Sequence, residues 1–183
     1  MVENPKAFEA YPPDRFIEIV KAWAALSWPI TPEQAQHTYE SLSYRPSPSD
    51  ASLFISEFAS DGEPDSYYTS ADNHVDSIRL AIARRCPNEE ESKHSSLVSE
   101  TYAAYCAAFE RTFSNITNHS QTNRADEWTI RSDEWTLDND VRIGIGNIGV
   151  TIAFFIRSPY MTQLLREERE MGLTSYDDIL EDD

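Results

Sequence analysis

The apolar residues of this chain switch between two spacings, first helical and then strand-like, and this order limits the folds that the chain can adopt. Steps of three and four after Asp14 predict a first helix that ends before Pro29. Thr31 and Gln34 stand at the spacing of a capping box, which predicts a second helix that runs to about Leu42. The chain is therefore expected to begin with a helical hairpin.

Strand-like spacing follows this hairpin. Residues 53–55 predict a short strand that is followed by the turn sequence at 61–64, and alternation over 78–82 predicts a strand with one buried face. Apolar residues then return to steps of three and four, which indicates a long amphipathic third helix. Its buried stripe is predicted to contain Val98, Tyr102, Tyr105, Phe109 and Phe113.

The last third of the chain again favours strands. The polar segment 114–126 is expected to be a connection, and Trp128 and Trp135 occur in two similar tetrapeptides seven residues apart. The spacing fits either two paired strands joined by residues 131–133 or one bulged strand. Alternation over 141–156 predicts a further hairpin, and Ser158 begins a final helix that Gly172 closes.

The resulting order is helix, helix, strands, helix, strands, helix. Such segregation predicts an α+β fold, a single-domain antiparallel sheet with helices packed on one face. We expect one domain over residues 14–172, a flexible N-terminus at 1–13, and an acidic C-terminal tail at 173–183.

The net charge limits the kinds of molecule that the chain is expected to bind. The chain has 32 acidic and 15 basic side chains, a formal charge of −17, yet 40% of its residues are hydrophobic, enough for a folded core. A sustained negative potential repels nucleic acid and anionic membrane and attracts basic proteins. We therefore expect a basic protein partner, no nucleic acid and no membrane, and a chain that is a monomer or a weak dimer.

The sequence contains no recognisable constellation for catalysis or for a metal or cofactor. Gly144, Gly146 and Gly149 match a dinucleotide-binding fingerprint, but a strand follows them where that site needs a helix. The four histidines and two cysteines are too widely spaced for a metal site. The longest apolar run, near 150–156, is too short to span a bilayer. We expect a cytoplasmic protein that is not an enzyme and that has no cofactor.

Two groups of residues are the candidates for partner binding. The first is the acidic cluster around the first predicted hairpin. The second is the pair of tryptophans, which would face opposite sides of a single regular strand, so that one would be exposed unless a turn or bulge intervenes. Together they are Glu57, Asp61, Glu63, Asp65, Asp72, Trp128 and Trp135.

Several short blocks carry a resemblance to a known family. They are the segment 24–31 with its second helix, the helix 103–113, Trp128 leading into 150–152, and Ser158-Pro159-Tyr160. The chain resembles a family of small soluble α+β proteins of unknown function from actinobacterial genomes. The resemblance implies no assigned activity, and Trp135 and the acidic tail depart from the family's usual pattern.

Function is therefore expected at a surface. The first hypothesis is a cytosolic immunity protein that covers a basic toxin domain, because acidic inhibitors match positive active sites. The alternative is a chaperone or adaptor for a secreted substrate, which would use an exposed apolar surface and favour a dimer.

Overall fold

The computed structural model describes residues 7–124 and 128–172. This part of the chain contains four α-helices, each of them where the apolar spacing or a capping sequence predicts one. They are α1 (Pro13–Ala24), α2 (Pro32–Ser41), α3 (Glu91–Thr112) and α4 (Pro159–Glu170). A 3₁₀ turn at Asn88–Glu90 precedes α3. No helix in the described ranges has the length and apolar character of a membrane span.

Capping residues set the ends of these helices. Thr31 Oγ1 accepts the Gln34 N–H at 3.3 Å, and the Gln34 side chain accepts the Thr31 N–H at 2.9 Å, so the predicted capping box is confirmed. Ser158 Oγ accepts the Met161 N–H at 3.1 Å at the start of α4. Gly172 follows α4 with a φ of 74°, a left-handed conformation that glycine adopts at little cost.

The strands form two antiparallel sheets, which confirms the α+β class. The strands are β1 (Glu9–Ala10), β2 (Arg45–Pro46), β3 (Leu53–Ile55), β4 (Ser66–Ala71), β5 (His74–Arg79), β6 (Ala83–Arg84), β7 (Ile116–Asn123), β8 (Arg131–Leu137), β9 (Arg142–Asn147) and β10 (Ile152–Arg157). The large sheet has the order β2-β3-β4-β5-β10-β9-β8-β7, and β1 pairs with β6. The central β5-β10 pairing joins the first half of the chain to the second.

Helices α1, α2 and α3 cover one face of the large sheet, which we call the helical face. Phe16 of α1 stacks on Tyr105 of α3 at 4.4 Å between ring centroids and meets Phe154 of β10 edge-on at 5.5 Å. Phe109 of α3 stacks on Trp135 of β8 at 4.3 Å. These rings are buried, so the core lies between the three helices and this face.

Helix α4 lies on the opposite side of the sheet, which we call the open face. Side chains alternate along a strand, so Thr136 points away from the side on which Trp135 meets α3. Thr136 and its cross-strand neighbour Arg142 line a cavity together with Thr162 and Arg166 of α4. The prediction of helices on one face therefore holds for α1, α2 and α3 but not for α4. Thr162 is the sole buried residue of α4, as suits a helix on a polar sheet face.

The segment expected to be a polar connection contains the eight-residue strand β7. It pairs only with β8 at the edge of the large sheet, and seven of its eight residues are exposed. The expectation was wrong because an edge strand with two solvated faces carries no apolar period.

Part of the predicted flexible N-terminus belongs to the fold. Phe8 is buried, Glu9 pairs with Arg84 across the small sheet, and the Tyr105 hydroxyl donates to the Tyr11 carbonyl at 2.6 Å. A strand of two residues is too short to show a periodic pattern, so it could not be predicted from the sequence. Residues 1–6 and the predicted acidic tail 173–183 lie outside the described residues.

Candidate functional site

The predicted acidic cluster lies mainly on the loop between β3 and β4, residues 56–65, which we call the acidic loop. Glu57, Asp61 and Glu63 are exposed on it. Asp61 and Gly62 have φ angles of 52° and 72°, so the loop turns sharply at two consecutive left-handed residues. Glycine and aspartate tolerate that conformation better than most residues, which explains why the turn sequence stands here.

Asp65 has a different role from the other carboxylates of this loop. Its Oδ1 accepts the Ser56 N–H at 2.9 Å, and its Oδ2 accepts the Ser56 hydroxyl. The Ser66 hydroxyl also donates to Oδ1, at 3.2 Å. Asp65 therefore closes the base of the acidic loop, and its carboxylate is engaged within the chain.

The acidic loop is also anchored near its start by Phe58. This side chain is buried, and its ring centroid lies 4.7 Å from that of Tyr11. The Arg84 guanidinium lies over the Phe58 ring, 5.6 Å from the ring centroid. The loop is thus attached at its base and near its start, and its exposed carboxylates lie beside or between these attachments.

Asp72 does not lie with the acidic loop. It is the first residue of the turn between β4 and β5, with a φ of 49°, and Asn73 follows with a φ of 62°. The six residues of β4 separate this turn from Asp65, a distance of about 20 Å at the rise of an extended strand. Proximity in sequence suggested one cluster, whereas the strand places Asp72 at the other end of the sheet.

The two tryptophans occupy different environments. Trp135 is fully buried between Phe109 and His119, at 4.3 and 5.1 Å between centroids, so it offers no surface to a partner. Trp128 precedes β8 and is 67% exposed. Residues 131–133 lie within a continuous β8. The two similar tetrapeptides are therefore neither two strands joined at these residues nor one bulged strand. Trp128 remains the exposed aromatic candidate.

A groove of about 440 Å³ separates the acidic loop from the open face. Its lining includes Phe58 and Glu63 from the loop, and Tyr67, Arg79 and Arg85 from the sheet side. Carboxylates and guanidiniums therefore meet on one surface that also offers aromatic contact. Such a mixture suits the rim of a protein interface.

A buried polar network lies on the helical face, and it was not predicted from the sequence. Asp133 is fully buried, and its carboxylate accepts from the Tyr102 hydroxyl at 2.6 Å, from His119 Nε2 at 2.8 Å and from Arg131 Nε at 3.1 Å. Burial raises the pKa of Asp133, but these hydrogen bonds outweigh it and hold the pKa below its ordinary value. The one available sequence signal was the position of Asp133 two residues before Trp135, on the same strand face.

This network lacks an activated nucleophile. The Cys106 thiol lies 3.6 Å from Asp133 Oδ2, and burial together with that carboxylate raises its pKa to about 12. A thiol with such a pKa is protonated at neutral pH and is a poor nucleophile. Among residues 7–124 and 128–172, no three His, Cys, Asp or Glu side chains form a group that could hold a metal ion. The arrangement therefore fits a structural network.

Comparison with known proteins assigns a family but no activity. No curated protein and no solved structure matches the chain. A family model matches residues 14–158, which include the acidic loop, the Asp133 network and every strand of the large sheet. The chain therefore belongs to DUF6301, a family of unknown function.

Proposed function

We propose that this chain is a non-enzymatic binding protein whose acidic loop meets a basic surface of another protein. Its most concrete form is a cytoplasmic immunity protein that covers a toxin domain acting on nucleic acid or nucleotides. The observation that carries the proposal is the set of exposed carboxylates on the anchored acidic loop, Glu57, Asp61 and Glu63.

Internal ion pairing leaves these carboxylates uncompensated. Many basic side chains of the described residues pair with carboxylates elsewhere on the chain. They are Arg15, Arg84, Lys93, Arg131, Arg142, Arg157 and Arg166. No ion pair within the described part of the chain involves Glu57, Asp61 or Glu63. The charges of Asp61 and Glu63 are therefore available to an external cation, whereas the Glu57 side chain also interacts with the Tyr11 hydroxyl.

The attachment of the loop also supports a binding role. A loop that already has its bound shape loses less conformational entropy when a partner docks. Asp65 and Phe58 fix the acidic loop before binding, and the nearby groove adds Tyr67 and Arg79 to the same surface. Complementary charges on such a surface raise the association rate to about 10⁸ M⁻¹s⁻¹ at low salt.

A second candidate function, a chaperone or adaptor, is favoured by one observation. Trp128 and Ile130, at the approach to β8, are 67% and 46% exposed. Exposed aromatic and aliphatic side chains two residues apart in sequence can contribute to an apolar interface. Such an interface would bind with little dependence on salt.

The test uses the partner that co-purifies with the chain from its native host. Association is then followed by stopped flow at ionic strengths from about 50 to 500 mM, over which the Debye length falls from about 14 to about 4 Å. The variant Asp61→Asn with Glu63→Lys alters the charge by three, and Asn suits the left-handed backbone at 61. We expect a lower association rate and a weaker salt dependence with an unchanged melting temperature.

A matched control carries the same charge change elsewhere. Glu40→Lys with Glu100→Gln alters two exposed carboxylates on α2 and α3. The proposal predicts that this control associates nearly as fast as the unmodified chain. If association is equally fast in all three proteins and indifferent to salt, the acidic-loop interface is wrong, and loss of binding in Trp128→Ser would support the adaptor function.

A further inference from the structure

Basic side chains lie close together on the open face of a chain that is otherwise strongly acidic. Arg142 and Arg157 stand directly opposite each other on β9 and β10, and their side chains are only 14% and 28% exposed. Like charges directly opposite each other destabilise a sheet. Both guanidiniums pair with the single carboxylate of Glu134, so one positive charge stays uncompensated. Burial lowers the pKa of Arg157, and Arg142 and Arg79 lower it further against the opposing effect of Glu134.

A cavity of about 120 Å³ lies beside this pair, between α4 and strands β7 to β9. Its polar lining comes from Arg142, Arg166, Arg169, Asn118, Thr136 and Thr162. No aspartate or glutamate is among its lining residues. Such a composition is unexpected by chance in a chain with twice as many acidic as basic side chains.

Arg142, which lines the cavity, has a buried Nε–H group. Its Nη2 pairs with Glu134, but its Nε is buried and has no hydrogen-bond partner among the described residues. A buried unpaired donor is costly, and more so when it belongs to a charged group. Arg166 is held at the cavity by Asp140, whose Oδ1 accepts from its Nη2 at 3.0 Å. The cavity thus contains a buried donor and a positioned guanidinium, and no carboxylate is among its lining residues.

We propose that this cavity binds one phosphate group, either free phosphate or the phosphate of a monoester. Donors reach it from β7, β8, β9 and α4, so they approach from several directions, as a tetrahedral oxyanion with several acceptor oxygens requires. Guanidinium groups bind phosphate through paired N–H donors. Pockets for drug-sized ligands measure about 300 to 1,000 Å³, so this cavity admits a single group and not a nucleotide. The site shares no residue with the acidic loop, so its failure would not bear on the proposed function.

The experiment is calorimetry and thermal unfolding with inorganic phosphate and with phenyl phosphate, at constant ionic strength set by sodium chloride. We expect a saturable heat of binding and a melting temperature that rises with the logarithm of free ligand. Tighter binding of phenyl phosphate supports a phosphorylated molecule as ligand, and tighter binding of inorganic phosphate supports the free ion.

Arg169→Gln removes one guanidinium from the exposed last turn of α4, and Arg45→Gln removes an exposed guanidinium from β2 as the control. We expect the first variant to bind phosphate about tenfold or more weakly, and the control to bind as the unmodified chain does. Both should melt normally without phosphate. The site is refuted if phosphate acts no differently from chloride, or if Arg169→Gln leaves the affinity unchanged.

Discussion

At Gly144 a missing side chain lets an aromatic ring lie on the sheet. Phe155 stands opposite Gly144 on β10, and a Cβ at position 144 would overlap the Phe155 ring. The ring in turn lies beneath the Arg157 and Arg79 guanidiniums, at 4.4 and 5.4 Å from its centroid. The glycine at 144 therefore leaves room for the Phe155 ring on the open face. This packing explains the glycine without a bound nucleotide.

Gly144→Ala should lower the free energy of unfolding by about 1 to 3 kcal/mol, the usual cost of forcing extra volume into a packed site. Gly146→Ala is the matched control, because the nearest atom to its added Cβ would be Thr129 Cγ2 at 3.7 Å. We expect that control to change stability by less than about 0.5 kcal/mol in urea unfolding. Equal effects of the two substitutions would show that Phe155 does not pack as described.

Asp133 makes stability depend on pH. Its folded pKa is lowered below the unfolded value of about 3.9, so the carboxylate adds stability above that pH and loses it as the pH falls through the folded pKa. Asp133→Asn should lower the free energy of unfolding by about 1 to 3 kcal/mol at pH 7, because it removes the charged acceptor of the hydrogen bonds from Tyr102, His119 and Arg131.

The difference between Asp133→Asn and the unmodified chain should shrink as the pH falls below about 4, and urea unfolding between pH 7 and pH 2.5 measures it. Asp14→Asn, at an exposed position of α1, should show a difference within about 0.5 kcal/mol throughout. A pH-independent deficit in Asp133→Asn would mean that the ionised form is not what the network stabilises.

At the scale of elements, α3 holds the two halves of the core together. Its Tyr105 stacks on α1, and its Phe109 stacks on Trp135 of β8. Phe109 also stacks on Phe113 at 4.6 Å, just beyond the end of the helix. The helix therefore fixes both the helical hairpin and the far strands against one stripe of side chains.

Phe109→Ala should lower the free energy of unfolding by about 3 to 5 kcal/mol, since it removes a fully buried ring and leaves a cavity against Trp135. Arg111→Ala, an exposed change on the same helix, should cost less than about 0.5 kcal/mol. Chemical denaturation with tryptophan fluorescence measures both. An unchanged free energy of unfolding in Phe109→Ala would show that α3 does not pack into the core.

For the molecule as a whole, the charge of −17 produces self-repulsion that salt should reduce. Raising sodium chloride from about 20 to about 500 mM shortens the Debye length from about 20 to about 4 Å, so the melting temperature should rise. A gain of about 1 kcal/mol corresponds to about 2 to 4 °C for a chain of this size. Chloride is the proper salt, because phosphate would also act through the proposed cavity.

The variant Glu40→Lys with Glu100→Gln has a net charge less negative by three and should gain less from salt than the unmodified chain does. Circular dichroism melts at pH 8 compare the two. A melting temperature that falls with added chloride in both proteins would indicate that internal ion pairs outweigh the repulsion.

The sequence by itself determined the elements that bury one side. The stripe of α3 and the cap at Thr31 were predictable, because burial of one face imposes a period and a helix end needs a side-chain acceptor. The α+β class followed from the order of these elements. Gly144 was likewise predictable as a strand residue, because it stands within the alternation of Val141, Ile143 and Ile145. The prediction of a tight turn at Gly146-Asn147 was wrong, because both residues continue β9 and pair with its neighbours.

Tertiary structure decided what has no local period. The edge strand β7 is solvated on both faces, so no apolar period marks it. Helix α4 begins two residues after β10 ends, and only its contacts with the sheet show that it lies on the open face. Asp65 and Asp72 belong to one acidic cluster in sequence, yet hydrogen bonds to Ser56 engage the first and a strand carries the second about 20 Å away. The cavity lined by Arg142, Arg166 and Arg169 joins residues from distant elements, and only strand register and helix packing bring such residues together.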